Sequence, residues 1–250
     1  MYKIPAKTLF LGKKVNFMTT CHSTNDEAAL LIAKQKVIEG TIVITDNQTA
    51  GKGQRGNSWN STPGKNLTFS IILKPNFLSI VQQFDLNIAV SLGILDYLNR
   101  IRNGFEVKWP NDVYFGEKKV CGILIQNNIK GQQLEHAIVG IGLNINQLEF
   151  AHPNAISLST ITGNTFDLSD VFEALLLNIE KRYIQLKRGE LVELKQDYLD
   201  HMYRFGEDFL YRAGEVFNGR ITGITDQGLL EIETNQGLKQ FGFKEVEFIP

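Results

Sequence analysis

Apolar positions along the chain recur in two ways: short runs that are apolar throughout or alternate, and longer stretches spaced three and four apart. Residues 15–18 read as a short strand. Ser23-Thr24-Asn25-Asp26-Glu27 then predicts a helix start, with Ser23 or Thr24 as N-cap and Asp26 or Glu27 three residues on. Ala28, Ala29, Leu31, Ile32 and Val37 carry the helical spacing to about Lys36, and Gly40 ends it. A buried strand over residues 41–45 leads into residues 48–59, which hold almost nothing that could build a core. Residues 67–73 form a strand rich in β-branched and aromatic side chains. Phe84, Ile88, Val90, Leu92, Leu95 and Leu98 mark a long helix over residues 80–101, with a small-residue patch at Ala89, Ser91 and Gly93. A strand over residues 106–109 stops at Pro110. Asn111-Asp112 and Glu117-Lys118 are turns, and strands follow over residues 119–126 and 136–142.

Residues 150–165 read as loop. Val171, Phe172, Leu175, Leu176, Ile179, Tyr183 and Leu186 then make one face of a helix that opens at Leu168 and ends at Gly189, and a further helix runs over residues 190–201. Beyond residue 206 short strands alternate with the hairpin-type turns Asp226-Gln227-Gly228 and Asn235-Gln236-Gly237. The succession predicts an α+β protein. Residues 1–205 form a mixed-sheet domain, and residues 206–250 form a small β-barrel that docks on it, being too small to be stable alone.

Composition narrows the function classes. A net charge of -1 gives no reason to expect a nucleic-acid partner. Two cysteines, Cys21 and Cys121, make no disulfide framework, and no Cys or His cluster has metal-ligand spacing. The first residues lack a signal-peptide apolar region and no apolar run is long enough to span a membrane, so a cytoplasmic protein is expected.

The chemistry concentrates in residues 48–59, Gln-Thr-Ala-Gly-Lys-Gly-Gln-Arg-Gly-Asn-Ser-Trp. Gly51, Gly53 and Gly56 match G-x-G-x-x-G, but no helix opens at the last glycine and no Asp or Glu follows until Asp85. A dinucleotide fingerprint needs both, so that reading fails. A mobile anion-binding loop fits better: glycine-rich backbone offers N–H groups, Lys52 and Arg55 add charge, and Trp59 adds a planar face. Lys119 beside Gly122 on a strand, and Asn111-Asp112 on the preceding turn, complete a set suited to phosphate-ester or acyl-phosphate chemistry. No paired His and Ser or Cys points to a hydrolase triad. The residues alone imply a nucleotide-using transferase or ligase.

Five segments, in order, resemble the motifs of the biotin–protein ligases (biotin–acetyl-CoA-carboxylase ligases). They are Ser23-Thr24-Asn25, residues 48–59, Lys108-Trp109-Pro110-Asn111-Asp112, Lys119-Val120-Cys121-Gly122-Ile123-Leu124, and Gly140-Ile141-Gly142-Leu143-Asn144-Ile145-Asn146. The tail resembles that family's SH3-like appendage. The resemblance implies the biotin/lipoate ligase fold and two half-reactions, formation of biotinyl-adenylate from biotin and ATP and transfer of biotin to a lysine of a biotin carboxyl carrier domain. It assigns catalysis to Lys119, Asp112 and Arg55. It assigns biotin to Ser23, Thr24, Asn25, Gln48, Gly51, Lys52, Lys119 and Gly122. ATP and the adenylate fall to Lys52, Gly53, Gln54, Arg55, Asn57, Trp59, Asn111, Lys119 and Asn144, with Trp59 on the adenine side. No protein metal site is implied; Mg²⁺ would come with the ATP phosphates, near Asp112.

The first motif begins at Ser23, so the DNA-binding domain that some family members carry ahead of it is not expected. No membrane partner is implied, and a monomer or a homodimer is compatible. Gln54 and Asn57 stand where relatives often carry Arg, so weaker retention of the adenylate is expected; Gln126 stands where the family strand commonly ends in Glu, a departure with no evident physical effect. The loop should be disordered until ligand binds. Lipoate–protein ligases and octanoyl transferases resemble the same fold, but neither their Arg-Arg-x-Ser-Gly-Gly-Gly type loop nor a catalytic cysteine is visible. A non-catalytic biotin-binding relative is the third reading.

Overall fold

The computed structural model describes residues 5–35 and 37–249, with the backbone alone at Arg55. Seven strands form a mixed sheet: β1 (Val15–Cys21), β2 (Thr41–Gln48), β3 (Leu67–Leu73), β4 (Phe105–Lys108), β5 (Asp112–Phe115), β6 (Lys118–Lys130) and β7 (Gln133–Leu143). Their order is β1-β2-β3-β7-β6-β5-β4. Only β1 and β2 are parallel, because helix α1 (Thr24–Ala33) carries the chain between them as a crossover. The end of α1 expected at Lys36 falls on a residue outside those described; the helix stops at Ala33.

Alternation along the strands divides the sheet faces. Ile42 and Ile44 on β2, Leu67, Phe69, Ile71 and Leu73 on β3, and Val139, Ile141 and Leu143 on β7 are buried in the main core. That face is covered by α2 (Gln83–Ile101) and α4 (Leu168–Lys187), with α5 (Leu191–Asp200) beside them. All seven residues of the α4 face anticipated from spacing are buried. The small patch on α2 has a physical reason: a Cβ at Gly93 would lie 2.5 Å from the Ile179 Cα, so glycine lets α2 and α4 meet backbone to backbone. Glu180 on α4 is buried and accepts the N–H groups of Leu9, Phe10 and Leu11 at 2.6, 2.8 and 2.8 Å, which ties the N-terminal segment down.

The opposite sheet face is covered at one end only. There α1 packs Ala28 on Val43, Ile72 and Ile138. Farther along, the same face carries Thr68, Ser70, Gly140, Gly142 and Gly122, small or polar residues that cannot support a helix and leave an open floor.

One element escaped the periodicity. Residues 150–165 are not loop throughout: α3 (Leu158–Thr162) lies within them, capped by Ser157, whose hydroxyl accepts the Thr160 N–H, and ended by Gly163 at φ 75. Five residues are too few for a helical spacing to register.

The tail forms a five-stranded antiparallel sheet of β8 (Asp208–Ala213), β9 (Glu215–Ile224), β10 (Leu230–Thr234), β11 (Gly237–Phe241) and β12 (Glu247–Phe248), ordered β11-β10-β9-β8-β12. It is the expected SH3-like appendage. Its β9–β10 turn docks on the larger sheet's helices. Trp109 donates its indole N–H to the Gly228 carbonyl at 3.0 Å, the Phe84 ring packs on Gly228, and Lys195 of α5 pairs with Asp226 at 2.5 Å.

Candidate active site

The uncovered floor is the base of a cleft of about 1190 Å³. Its deep end is built where β1 runs into α1. Ser23 occupies the N-cap position, yet its hydroxyl caps nothing, and it is 2% exposed. The capping-box reading therefore fails, and Ser23, Thr24 and Asn25 line the cleft instead. They are held by a network of neutral groups. Gln48 at the end of β2 accepts the Thr24 N–H at 2.8 Å, and Ser70 Oγ on β3 lies 2.7 Å from both Thr24 Oγ1 and Asn25 Oδ1. Asn25 Nδ2 donates to Gln126 Oε1 at 3.0 Å. Gln126 thus has a definite task, fixing which way the Asn25 amide points. A Cβ at Gly140 would collide with that same Asn25 oxygen.

The outer end carries charge. Asp112 opens β5 opposite Gly122 of β6, and Lys119 Nζ lies 2.7 Å from Asp112 Oδ1. The contact is one of charge rather than a well-directed hydrogen bond, since that oxygen is buried without a directed donor. Asn111 clamps the turn that presents Asp112: its amide donates to the Ile123 carbonyl, and its own carbonyl accepts the Ile123 N–H at 2.9 Å. Asn144 also lines the cleft, but its amide is tied to the Ile156 carbonyl at 3.2 Å.

Residues 51–59 close over this floor as a hairpin. Gly53 N–H donates to the Asn57 carbonyl at 2.7 Å, Trp59 N–H to the Gly51 carbonyl at 2.9 Å, and Lys52 pairs with Asp26 on α1 at 2.7 Å. Gly56 at φ 86 makes the turn that only glycine adopts readily. Gly51 sits behind the cleft wall, where a Cβ would meet the Trp59 carbonyl and the Gln48 amide. Lys52, Gly53, Gln54 and Asn57 face the cleft. The Arg55 side chain lies outside the description. Trp59, expected on the adenine side, lays its indole across the sheet floor: Gly142 and Gly122 are the surfaces it touches, and Lys119 Nζ stands 5.5 Å from the ring centroid. Its indole N–H is buried without a partner among the described residues.

The residues that spacing missed come from residues 150–156. Lys119 N–H donates to the Asn154 carbonyl at 2.7 Å and Ile156 N–H to the Lys119 carbonyl at 3.0 Å, which folds Phe150, Ala151, His152 and Asn154 into the cleft wall. Ser70, with Thr68 one of two polar residues in an otherwise apolar strand, carried a legible signal. Cys121 is fully buried and burial pushes its thiol well up, so it is a packing residue and no thiolate nucleophile. Among the described residues no group of three or more His, Cys, Asp or Glu could hold a metal by itself.

The arrangement can hold a neutral polar ring at one end and a carboxylate or phosphate at the other, under a glycine-rich flap. The chain is similar to known proteins in sequence and in fold. A profile for the biotin protein ligase C-terminal domain matches residues 209–248. The chain is 29% identical over 248 residues to the bifunctional ligase/repressor BirA of Bacillus subtilis, covering 96% of this chain and 76% of that one. It is 28% identical over 237 residues to the biotin–[acetyl-CoA-carboxylase] ligase of Paracoccus denitrificans, covering 90% and 97%. The biotin protein ligase of Aquifex aeolicus solved with biotin and ATP superposes with a TM-score of 0.79 at 29% identity, covering 95% of this chain and 99% of that one. The profile described as the biotin/lipoate A/B protein ligase family matches residues 17–144, more than half of the chain, and the chain belongs to that family.

Proposed function

We propose that this chain is an ATP-dependent biotin–protein ligase. The observation that carries the reading is the polarity of the cleft, a neutral hydrogen-bonding end joined by a glycine floor to the Lys119–Asp112 pair. A ureido ring matches the deep end, because Ser23, Thr24, Asn25 and Gln48 offer donors and acceptors without charge. The biotin carboxylate would then reach Lys119, with Gly122 leaving room along the strand and the Gly51 backbone near the ring.

In the first half-reaction a carboxylate oxygen attacks the α-phosphorus of ATP and pyrophosphate leaves. Lys119 is the fixed cation that meets the developing charge. Lys52, Gly53 and Arg55 would order the flap over the adenylate, Trp59 would wall the cleft between the ligands, and Asn111 and Asn144 would face the nucleotide. Mg²⁺ carried by the ATP phosphates would neutralise them further; Asp112 fits as a single protein carboxylate beside it, since Mg²⁺ is commonly held by one or two carboxylates plus substrate phosphates. In the second half-reaction the amine of an acceptor lysine attacks the acyl carbon, AMP leaves, and the amine sheds a proton, with Asp112 as the base. The acceptor belongs to the carrier domain of a biotin-dependent carboxylase. Residues 1–205 would carry both steps, with residues 206–250 appended. Gln54 and Asn57 leave the flap with fewer cations than arginine-rich relatives, so the adenylate should escape faster.

One assay separates this from lipoate ligation and from passive binding. The protein is incubated with ATP, Mg²⁺ and either biotin or lipoate, and pyrophosphate release and label transfer to a carrier domain are followed. Pyrophosphate and transfer with biotin are expected; pyrophosphate with lipoate alone, or with neither acid, would overturn the proposal.

A further inference from the structure

The segment Lys108-Trp109-Pro110-Asn111-Asp112 serves two masters. Its last two residues shape the cleft. Its first two reach the C-terminal module, Trp109 through the Gly228 carbonyl and Lys108 through aromatic rings. Lys108 Nζ stands 4.3 Å from the Tyr114 ring centroid, 5.0 Å from that of Phe248 and 5.4 Å from that of Tyr203. The rings support one another, with Tyr114 and Tyr203 at 5.6 Å and Tyr203 and Phe248 at 6.2 Å. Tyr114 is on β5, Tyr203 follows α5, and Phe248 is on β12. The cage is therefore complete only when the small sheet is docked.

Among the described residues Lys108 has no carboxylate within ion-pair distance, so ring faces hold the ammonium while leaving its charge unneutralised. Lys108 and Asp112 are cross-strand partners in the β4–β5 register, which puts the two side chains on one face as close neighbours. Asp112 also touches Lys119, so it stands between two lysines. Burial pulls the Lys108 ammonium below its ordinary range, with Asp112 and Glu117 opposing that and Arg204 and Lys119 adding to it.

We infer that Lys108 is a positioning residue for Asp112, held by an aromatic cage whose third wall, Phe248, belongs to the C-terminal module. Lys108 is a second cation beside the Asp112–Lys119 pair, placed to draw the Asp112 carboxylate when Lys119 turns to phosphate oxygens. The inference rests on the ligase reading and concerns mainly the second half-reaction. While the triphosphate is bound, its oxygens compete for Lys119. Once pyrophosphate has left, one phosphate remains, and the division of Asp112 between Lys108 and Lys119 decides whether it can meet the acceptor amine.

The test uses full-length protein and the variants Lys108→Met, Lys108→Arg and Phe248→Leu. Biotin-dependent ATP–pyrophosphate exchange reports the first step, and single-turnover transfer from preformed biotinyl-adenylate to a carrier domain reports the second. Lys108→Met should lower the transfer constant about tenfold with exchange within about threefold, a size typical of small misplacement of a reacting group. Lys108→Arg should recover most of that loss, and Phe248→Leu should move transfer the same way by less, with the KM for the carrier domain unchanged in all three. A merely structural role would depress both steps together and lower the melting temperature in proportion. Equal losses in both steps, loss in exchange alone, no loss, or no recovery with Arg would each overturn the inference. Wild-type protein without biotin-dependent exchange would instead overturn the ligase reading, and this inference with it.

Discussion

Trp109→Phe tests how the two sheets are joined. Trp109 is 3% exposed and its indole N–H reaches the Gly228 carbonyl at 3.0 Å, while its ring centroid lies 5.4 Å from that of Phe243. Phenylalanine keeps most of the ring contact and removes the donor. Stranding a buried carbonyl costs about 1–3 kcal/mol. The part of the indole that is lost adds roughly 1 kcal/mol of forgone burial. The expected destabilisation is thus about 2–4 kcal/mol, a large share of the roughly 5–15 kcal/mol that holds an ordinary protein folded. Equilibrium urea unfolding followed by far-UV circular dichroism measures it, and a smaller slope against urea would reveal the small sheet separating first. The variant also leaves Trp59 as the chain's single tryptophan, so emission then reports the cleft alone. A loss below about 1 kcal/mol with an unchanged slope would refute the claim that this hydrogen bond anchors the module.

Three further outcomes are expected. Gly142→Ala puts a methyl group into the Trp59 indole and should weaken biotin binding at least about tenfold by calorimetry, with little change in melting temperature, since the indole stands on a solvent-facing flap; unchanged affinity would mean that Trp59 does not need this floor. Asp85 is 3% exposed and burial raises its carboxyl above the usual 3.8, so the folded state holds a proton that the unfolded chain releases; stability therefore falls as pH rises from 3.8 through the raised value, and Asp85→Asn should flatten that slope in melts taken across acidic pH. Proteolytic cutting between Gly51 and Trp59 should slow when biotin and ATP are added together, because the flap's exposed Lys52–Asp26 pair contributes only about 0–1 kcal/mol on its own; equal rates would show that ligand adds nothing to the hairpin.

Much of the fold was legible because it was written in periodicity. The β3 strand and the α4 face depend on side chains repeating at two or 3.6 residues, and both occur where spacing puts them. What spacing could not reveal was held by backbone groups or by distant partners. The wall at residues 150–156 is built on Lys119's own N–H and carbonyl, which every residue possesses. Ser23 is the helix N-cap that local sequence predicts, but its hydroxyl makes no capping hydrogen bond and the residue lines the cleft, a tertiary role that local sequence does not show. Gln126 looked like an unexplained departure until Asn25 was found beside it, 101 residues away in sequence. Lys108 reads as a strand-end lysine; only the tail's return brings Phe248 to it.

The deep network of Thr24, Asn25, Gln48, Ser70 and Gln126 holds no ionisable group. Backbone groups fix its sense, since Gln48 Oε1 accepts the Thr24 N–H and Asn25 Nδ2 also donates to the Leu124 carbonyl at 3.4 Å, so the amides of this network cannot turn over without breaking bonds. Ionic strength and pH near neutrality leave such a lattice untouched, whereas the Lys119–Asp112 end feels both. Affinity for the uncharged ring and affinity for the charged tail of one ligand are thereby separable quantities, open to being tuned one at a time.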